Sequence, residues 1–188
     1  MRLFIAVNLP LEERRAMFAA AQPLRAAAPG ASWVRAENLH VTIKFLGEVA
    51  EERVTELRTA LSEAVAPHRA FALALGGAGA FPNLRAPRVV WMGAAPEPRL
   101  ELVHHDIESA CAALGYPVEG RPFRPHVTLG RVKKEHPGRD AARALGDAAR
   151  RVHYEGEVEV VSVDLMRSTL APGGSQYALV HSALLGDR

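Results

Sequence analysis

Two short segments of this sequence each carry an imidazole and a hydroxyl two residues apart. His40-Val41-Thr42-Ile43 returns 86 residues later as His126-Val127-Thr128-Leu129. Two residues is the period of a β-strand, so the His and Thr side chains of each segment are predicted to share one face of a strand. The repetition predicts a pseudo-symmetric site with one imidazole from each half of the chain, which is what a paired acid and base would require.

Chance is a poor explanation for the two copies. With eight His and five Thr among 188 residues, random order would give about 0.2 His-x-Thr tripeptides, and two are present. The alternative is that both segments are ordinary strands whose His and Thr side chains face water. A single copy would leave that alternative open, whereas the matched pair favours a functional site.

Two imidazoles and two hydroxyls suit a displacement reaction at phosphorus. An imidazole titrates near neutral pH, so one ring can remove a proton from the entering oxygen while the other protonates the departing oxygen. These oxygens lie on opposite sides of the phosphorus, and opposing halves of a chain can supply one ring to each side. Threonine hydroxyls can donate hydrogen bonds to the non-bridging oxygens. The residues alone leave open which His is the acid and which is the base.

The hydrophobic pattern alternates between strands and helices. Strands are predicted at residues 2–8, 33–34, 38–46, 71–75, 88–92, 122–132, 158–165 and 177–180, and helices at 10–28, 50–66, 100–114 and 139–151. The first helix is expected to kink or restart at Pro23, and a Gly/Pro-rich loop is expected from Gly76 to Pro87. Because small groups of strands are each backed by a helix, we expect an α+β fold of two similar lobes, with residues 1–188 forming a single bilobal domain.

The composition is that of an ordinary globular protein. Hydrophobic residues make up 48% of the chain, and the absence of an apolar run of 18 residues argues against a membrane span. Residues 1–7 are predicted to form a strand rather than a signal peptide, since no small-residue cleavage site follows them. Cys111 is the only cysteine, so no internal disulfide can form, and a cytoplasmic location is expected. The net charge of +2 is only a mild bias toward anionic partners.

At the motif residues the sequence resembles the 2H phosphoesterase family, which is named for its two His-x-Thr-x motifs. The likeness is greatest to the bacterial and archaeal RNA 2′,3′-cyclic phosphodiesterases, also called 2′-5′ RNA ligases, and it covers nearly the whole chain. The segments that carry it are RLFIA at 2–6, LHVTIKFLG at 39–47, PRVVW at 87–91, RPFRPHVTLGR at 121–131 and the region of Ser168 and Tyr177.

The resemblance implies a fold and a substrate. The fold would have antiparallel sheets from two pseudo-symmetric lobes facing a central cleft, with helices on the outside. The substrate would be RNA or an oligonucleotide ending in a 2′,3′-cyclic phosphate, which water opens to a 2′-phosphate. RNA of this kind includes tRNA fragments, and nucleoside cyclic phosphates are the smaller analogue. No metal and no other cofactor is implied, no membrane partner is expected, and we expect a monomer.

The resemblance also assigns roles to the motif residues. His126 would be the proton acceptor that activates water, and His40 would be the proton donor to the departing 3′ oxygen. Thr42 and Thr128 would position the phosphate.

Two cationic residues near the motifs are further candidates for substrate binding. Strict alternation places Lys44 on the face of His40, where it could meet the RNA backbone, and it assigns Phe45 to the core. Arg131 is a candidate phosphate ligand, although alternation turns it away from the face of His126, so a structural role beneath the site is equally open. Cys111 lies on the apolar stripe of its helix and is expected to be a buried structural thiol.

Three other interpretations of the sequence compete with hydrolysis. The same acid and base could run the reverse reaction and join tRNA halves through a 2′-5′ bond. A groove that binds RNA without turnover would fit the basic pI of 9.0 but would leave the twin motifs unexplained. A zinc site is disfavoured because adjacent His104 and His105 diverge by about 100° on a helix and no Cys pair is present.

Overall fold

The computed structural model describes residues 1–133 and 139–186. These residues contain nine strands: β1 (Arg2–Asn8), β2 (Ser32–Trp33), β3 (His40–Glu48), β4 (Phe71–Phe81), β5 (Val89–Ala94), β6 (His126–Arg131), β7 (Glu155–Val160), β8 (Ser162–Ala171) and β9 (Gly174–Leu184). They also contain five α-helices: α1 (Leu11–Ala20), α2 (Gln22–Ala27), α3 (Val54–Val65), α4 (Pro98–Ala113) and α5 (Arg139–Ala149). Short 3-10 turns at Ala36–Asn38 and Glu51–Arg53 lead into β3 and α3.

The strands form one curled antiparallel sheet whose order is nearly symmetric about its middle. Eight strands run in the order β7-β4-β5-β6-β3-β1-β8-β9, and β2 pairs with β6. The two motif strands, β3 and β6, meet at the centre through Val41 and Val127, so four strands of this order lie in each half. The predicted α+β fold with two similar halves is confirmed, and the halves are joined into one sheet by this central pairing.

The helices pack on one face of the sheet because their apolar residues recur at helical spacing. Leu57, Leu61 and Val65 of α3 follow each other at intervals of four residues and are all buried. Burial of each such side chain stabilises the fold by about 1.5–3 kcal/mol. The opposite face of the sheet carries a separate small cluster that includes Phe4 and Met166. This second face also carries the motif His and Thr side chains. None of the helices in the described part of the chain combines the length and the hydropathy that a membrane span requires.

The break in the first predicted helix is where the sequence indicates it. Helix α1 ends at Ala20, and α2 begins at Gln22 with Pro23 in its first turn. Proline lacks the N–H that an uninterrupted helix would need there, and it is well tolerated at a helix start.

Two predicted boundaries are wrong for reasons of strand pairing. The loop predicted from Gly76 is instead the continuation of β4 to Phe81, because Gly77 adopts a φ of 73° at a β-bulge and pairing with β5 resumes beyond it. The single strand predicted at 158–165 is two strands that separate at Val161. Strand β7 pairs with β4 in one half, and β8 pairs with β1 in the other, so the chain crosses between halves at this residue.

Candidate active site

The central strand pairing brings the two motifs side by side. Val41 is opposite Val127 in antiparallel register, and both side chains are fully buried. The residues on either side of each Val point to the opposite face. His40 therefore lies across from Thr128, and Thr42 lies across from His126, on the face of the sheet that the helices leave open.

The two imidazoles are held in the same way by backbone carbonyls. Nδ1 of His40 lies 2.7 Å from the carbonyl oxygen of Asn38, and Nδ1 of His126 lies 2.6 Å from that of Arg124. A carbonyl can only accept, so each Nδ1 carries a hydrogen and donates it. Each neutral ring then presents Nε2 as its proton-accepting atom, and Nε2 of His40 is 3.0 Å from the hydroxyl oxygen of Thr42. Both rings are thus oriented to exchange a proton through Nε2.

Aromatic side chains fix the rings from the side. Tyr177 packs edge-on against His40 at 5.4 Å between centroids, and Phe81 packs edge-on against His126 at 5.0 Å. Phe4 also contacts His40, with centroids 5.0 Å apart. The two halves of the sheet therefore use equivalent devices around equivalent imidazoles.

Burial and nearby positive charge lower the pKa of both imidazoles. For His40 the pKa falls below 6.5 chiefly because burial disfavours the charged ring, and the charges of Arg14 and His126 lower it further. For His126 burial is again the main cause, and the charge of Arg131 adds to it. The carbonyls of Asn38 and Arg124 oppose these shifts in part. The effect of His126 on the pKa of His40 indicates that the two rings lie close enough to interact.

A cleft of about 460 Å³ opens beside the motifs. Its lining comes mainly from the half of the sheet that contains His40, and its described residues are Arg2, Leu3, Phe4, Val34, Asn38, His40, Thr42, Phe45, Gly47, Thr128, Arg131, Ser168, Ser175 and Tyr177. His126 is not among the lining residues, although Thr128 on the same strand face is. The cavity is therefore asymmetric even though the catalytic candidates are paired.

The prediction that Lys44 meets the substrate is wrong. On β1, Ala6 pairs with Thr42 of β3, but the preceding residue, Ile5, pairs with Lys44. The register between the two strands therefore shifts by one residue at this point. This β-bulge puts both Ile43 and Lys44 on the buried side, so alternation fails after Thr42. Only 4% of the Lys44 side chain is exposed, and its Nζ donates to both carboxylate oxygens of Glu108 at 2.9 Å.

The same bulge turns Phe45 outward. Phe45 was expected in the core, but 65% of it is exposed and it lines the cleft. The second motif strand has an equivalent β-bulge. The register between β5 and β6 shifts beyond Thr128, and both Leu129 and Gly130 are buried as a result. Arg131 therefore faces the cleft, against the expectation from strict alternation. Phe45 and Arg131 occupy equivalent positions in the two halves.

The remaining candidates for chemistry are accounted for by packing. His104 stacks on Phe123 with 3.9 Å between ring centroids. The thiol of Cys111 is buried, as expected, and burial raises its pKa to about 11, which keeps it protonated. Among residues 1–133 and 139–186, no three His, Cys, Asp or Glu side chains lie together in a way that could hold a metal ion.

Sequence reasoning missed most of the lining residues, among them Arg2, Asn38, Phe45 and Ser175. Arg2 had one available signal, because it precedes Leu3 in a strand whose alternate residues Phe4 and Ala6 lie on the open face. Asn38 and Ser175 gave none, since they meet only in three dimensions. The side-chain amide of Asn38 donates to the Ser175 carbonyl oxygen at 2.8 Å.

Comparison with known proteins places this geometry in a family. A sequence model of the 2'-5' RNA ligase superfamily matches residues 11–171. An Archaeoglobus fulgidus protein named RNA 2',3'-cyclic phosphodiesterase is 36% identical over 182 residues, which are 94% of this chain and 96% of that protein. The TT0787 structure from Thermus thermophilus has a TM-score of 0.80 at 30% identity and covers 100% of both chains. Escherichia coli LigT complexed with 3'-AMP has a TM-score of 0.74 at 30% identity, over 98% of this chain and 97% of LigT.

The family match extends across both His-x-Thr motifs, and the Archaeoglobus fulgidus relative matches over nearly its full length. The resemblance inferred from the motifs is confirmed. This chain belongs to the 2'-5' RNA ligase superfamily, the 2H phosphoesterases.

Proposed function

We propose that this protein hydrolyses the terminal 2′,3′-cyclic phosphate of RNA to a 2′-phosphate by two-histidine acid–base catalysis without a metal ion. The observation that carries the proposal is the pair of imidazoles on adjacent central strands, each fixed through Nδ1 by a backbone carbonyl. His40, Thr42 and Thr128 line the cleft beside them. The RNA 2',3'-cyclic phosphodiesterase name of the Archaeoglobus fulgidus relative supports the substrate class.

The asymmetry of the cleft favours His40 as the acid and His126 as the base. The departing 3′ oxygen and the retained 2′ oxygen belong to one ribose, so the nucleoside must lie on the side of the acid. The cleft lies on the side of His40. Water enters from the opposite side, where His126 Nε2 removes its proton as the water oxygen bonds to phosphorus. The bond from phosphorus to the 3′ oxygen breaks, and His40 Nε2–H gives that oxygen its proton.

Three polar side chains are suited to hold the phosphate in this reaction. Thr42 and Thr128 stand across from the two imidazoles, where their hydroxyls can donate to the non-bridging oxygens. Arg131 faces the same cleft and can add a charge-assisted hydrogen bond as negative charge accumulates. The exposed ring of Phe45 offers an apolar surface to the base of the substrate.

Phosphorus NMR of the product tests the reaction and its regiochemistry together. A defined oligoribonucleotide ending in a 2′,3′-cyclic phosphate should give a 2′-phosphomonoester, at the same rate with and without EDTA. A 3′-phosphate product would contradict the assignment of the departing oxygen. Loss of activity in EDTA, restored by zinc, would contradict the metal-free mechanism. No turnover of any cyclic phosphate would exclude hydrolysis altogether.

The pH profile follows from the lowered pKa values of the two imidazoles. The base must be neutral, so kcat/KM falls as pH drops below the pKa of His126, and the acid must be protonated, so kcat/KM falls as pH rises above the pKa of His40. Both pKa values lie below 6.5, so we expect a bell whose two limbs lie on the acidic side of 6.5. The limbs of kcat should lie at higher pH, because bound phosphate stabilises both protonated rings. A flat kcat/KM between about pH 5 and 8 would contradict paired imidazoles.

Ligation is a second candidate activity, favoured by the name of the superfamily itself. A 5′-hydroxyl would replace water as the nucleophile and give its proton to His126, while His40 protonates the departing 3′ oxygen as it does in hydrolysis. Because water is far more abundant than RNA ends, we propose that ligation is minor. Incubating end-matched RNA halves and searching for a 2′-5′ junction separates the two activities.

A single chain supplies both motifs, so we propose that the protein acts as a monomer and needs no partner subunit to complete the site. A cytoplasmic location stays a proposal that rests on the single, buried Cys111.

A further inference from the structure

The lining of the cleft is suited to more than one phosphate. Among the described residues that line it are two arginines, Arg2 and Arg131, and no carboxylate. Arg131 follows Thr128 in the second motif strand, so it is assigned to binding the phosphate that reacts. Arg2 lies elsewhere in the same cleft, and the reaction derived above gives it no role.

Arg2 belongs to a row of hydrogen-bond donors that crosses three strands. Arg2 on β1 is opposite Ser168 on β8, and Ser168 is opposite Tyr177 on β9. Directly opposed residues of antiparallel strands share a face, so a guanidinium and two hydroxyls lie together on the open face. All three residues line the cleft. A row made of donors with a cation at one end favours an anionic ligand.

The carboxylate nearest to Arg2 in sheet register does not neutralise it. Glu48 on β3 is opposite Arg2, but its Oε2 accepts from the N-terminal amino group at 3.1 Å. Arg2 is exposed and makes no hydrogen bond or ion pair through its side chain with the described part of the chain. It is therefore available to a ligand.

The spacing along β1 separates Arg2 from the reacting phosphorus. Ala6 is in register with Thr42, and Arg2 precedes Ala6 by four residues, which is about 13 Å of strand. The long Arg2 side chain can close much of this gap by leaning into the cleft. The group that it would reach lies about one nucleotide away from the cyclic phosphate.

We propose that Arg2, assisted by Ser168, binds the phosphodiester on the 5′ side of the nucleotide that carries the cyclic phosphate. This inference rests on the proposed function. It makes the cleft selective for RNA ends over nucleoside 2′,3′-cyclic phosphates, because a nucleoside has no phosphate at that position. The subsite reads the sugar-phosphate backbone and carries no base preference.

The test compares two substrates that differ only by the 5′ nucleotide: adenosine 2′,3′-cyclic phosphate and the dinucleotide ApA ending in a 2′,3′-cyclic phosphate. Arg2→Ala should lower kcat/KM for the dinucleotide about tenfold, as expected for one lost charge-assisted hydrogen bond, and leave the mononucleotide within about twofold. Arg2→Lys should recover part of the loss. The salt dependence of dinucleotide kcat/KM should become shallower by about one phosphate contact in Arg2→Ala.

Arg58→Ala is the matched control, since Arg58 is an exposed arginine of α3 on the helical face of the sheet. Equal loss on both substrates would overturn the proposal and indicate a general electrostatic effect. An unchanged dinucleotide rate would overturn it as well, because Arg2 would then be only solvated. If the parent enzyme hydrolyses neither substrate, the proposed function fails, which is a different result from either of these.

Discussion

Alanine at His40 or at His126 will lower kcat for hydrolysis of an RNA 2′,3′-cyclic phosphate by about 10²–10⁴-fold, while the affinity for uncleaved RNA stays near that of the parent. In the proposed mechanism each ring contributes one proton transfer through Nε2, and no other described side chain holds an equivalent position on the central strands. Threonine hydroxyls and Arg131 would still bind the phosphate in either variant. The measurement is single-turnover hydrolysis beside equilibrium binding of the same RNA.

The two variants should differ in their pH profiles, which assigns the roles. Without His126 the acidic limb of kcat/KM should disappear, because no base remains to be protonated at low pH. Without His40 the alkaline limb should disappear instead. His105→Ala, at an exposed histidine of α4, serves as the matched control and should keep both limbs. Exchanged limbs would reverse the acid and base assignment, and parental rates in both variants would remove the two histidines from the mechanism.

The RNA-binding interpretation makes an opposite prediction for the same experiment. A groove without turnover would give no hydrolysis in the parent, and removal of either imidazole would change only the affinity for RNA. The paired carbonyl contacts at Asn38 and Arg124 argue against it, because binding alone does not require both rings to carry the same tautomer.

The motif residues could be located from the sequence because the direction of their side chains depends only on the two-residue period of their own strands. From His40 to Thr42 and from His126 to Thr128, the strand period of two holds without interruption, so both pairs emerge on one face. The apolar spacing of α3 and the helix break at Pro23 are local in the same sense. Such features follow from a few neighbouring residues and need no knowledge of the partner strands.

The surroundings of the motifs could not be predicted, because they depend on pairing between distant strands. The bulge that buries Lys44 and exposes Phe45 exists only when β3 is aligned with β1, and the bulge that frees Arg131 exists only when β6 is aligned with β5. Alternation assigned these three side chains to the wrong faces for this one reason. The two bulges occur at equivalent positions of β3 and β6, directly after the threonine of each motif.

The asymmetry of the cleft could not be predicted from local sequence patterns either. In one half of the sheet, Thr42 is opposite the small residue Ala6 of the neighbouring strand. In the other half, Thr128 is opposite the bulky residue Trp91. The indole lies so close over Gly79 that a Cβ at this glycine would be 2.4 Å from the ring. The cleft opens in the half without such an indole, where Arg2, Phe4 and Tyr177 are among its lining residues.

Lys44→Met will destabilise the protein by about 3–5 kcal/mol, the range expected when one partner of a buried ion pair is removed and the other charge stays buried. Only 4% of the Lys44 side chain and 8% of the Glu108 side chain are exposed. Besides the two contacts with Glu108, Nζ of Lys44 donates to the carbonyl oxygen of Pro117 at 2.8 Å, and Glu108 accepts from the backbone N–H of Glu119 at 3.3 Å. The measurement is urea unfolding, with the midpoint and slope determined separately.

A double variant separates two contributions to the loss of stability: the missing Lys44–Glu108 contact and the unpaired buried charge of Glu108. In Lys44→Met with Glu108→Leu no charge stays buried, so much of the lost free energy of unfolding should return, although the backbone groups of Pro117 and Glu119 lose their partners. Lys133→Met is the matched control at an exposed lysine, and its effect should stay within about 0.5 kcal/mol. Equal free energies of unfolding for Lys44→Met and Lys133→Met would contradict the buried pair.

The same variants decide between the two descriptions of Lys44, because each description predicts a different observable. A lysine in contact with RNA would leave unfolding unchanged and make RNA binding weaker and less dependent on salt. A lysine paired with Glu108 acts on stability, and it acts on catalysis only through the segment that runs from Pro117 to Arg124, whose carbonyl holds His126. The expected signature is therefore a large loss of unfolding free energy, a kcat that falls by less than in His126→Ala, and an unchanged salt dependence of RNA binding.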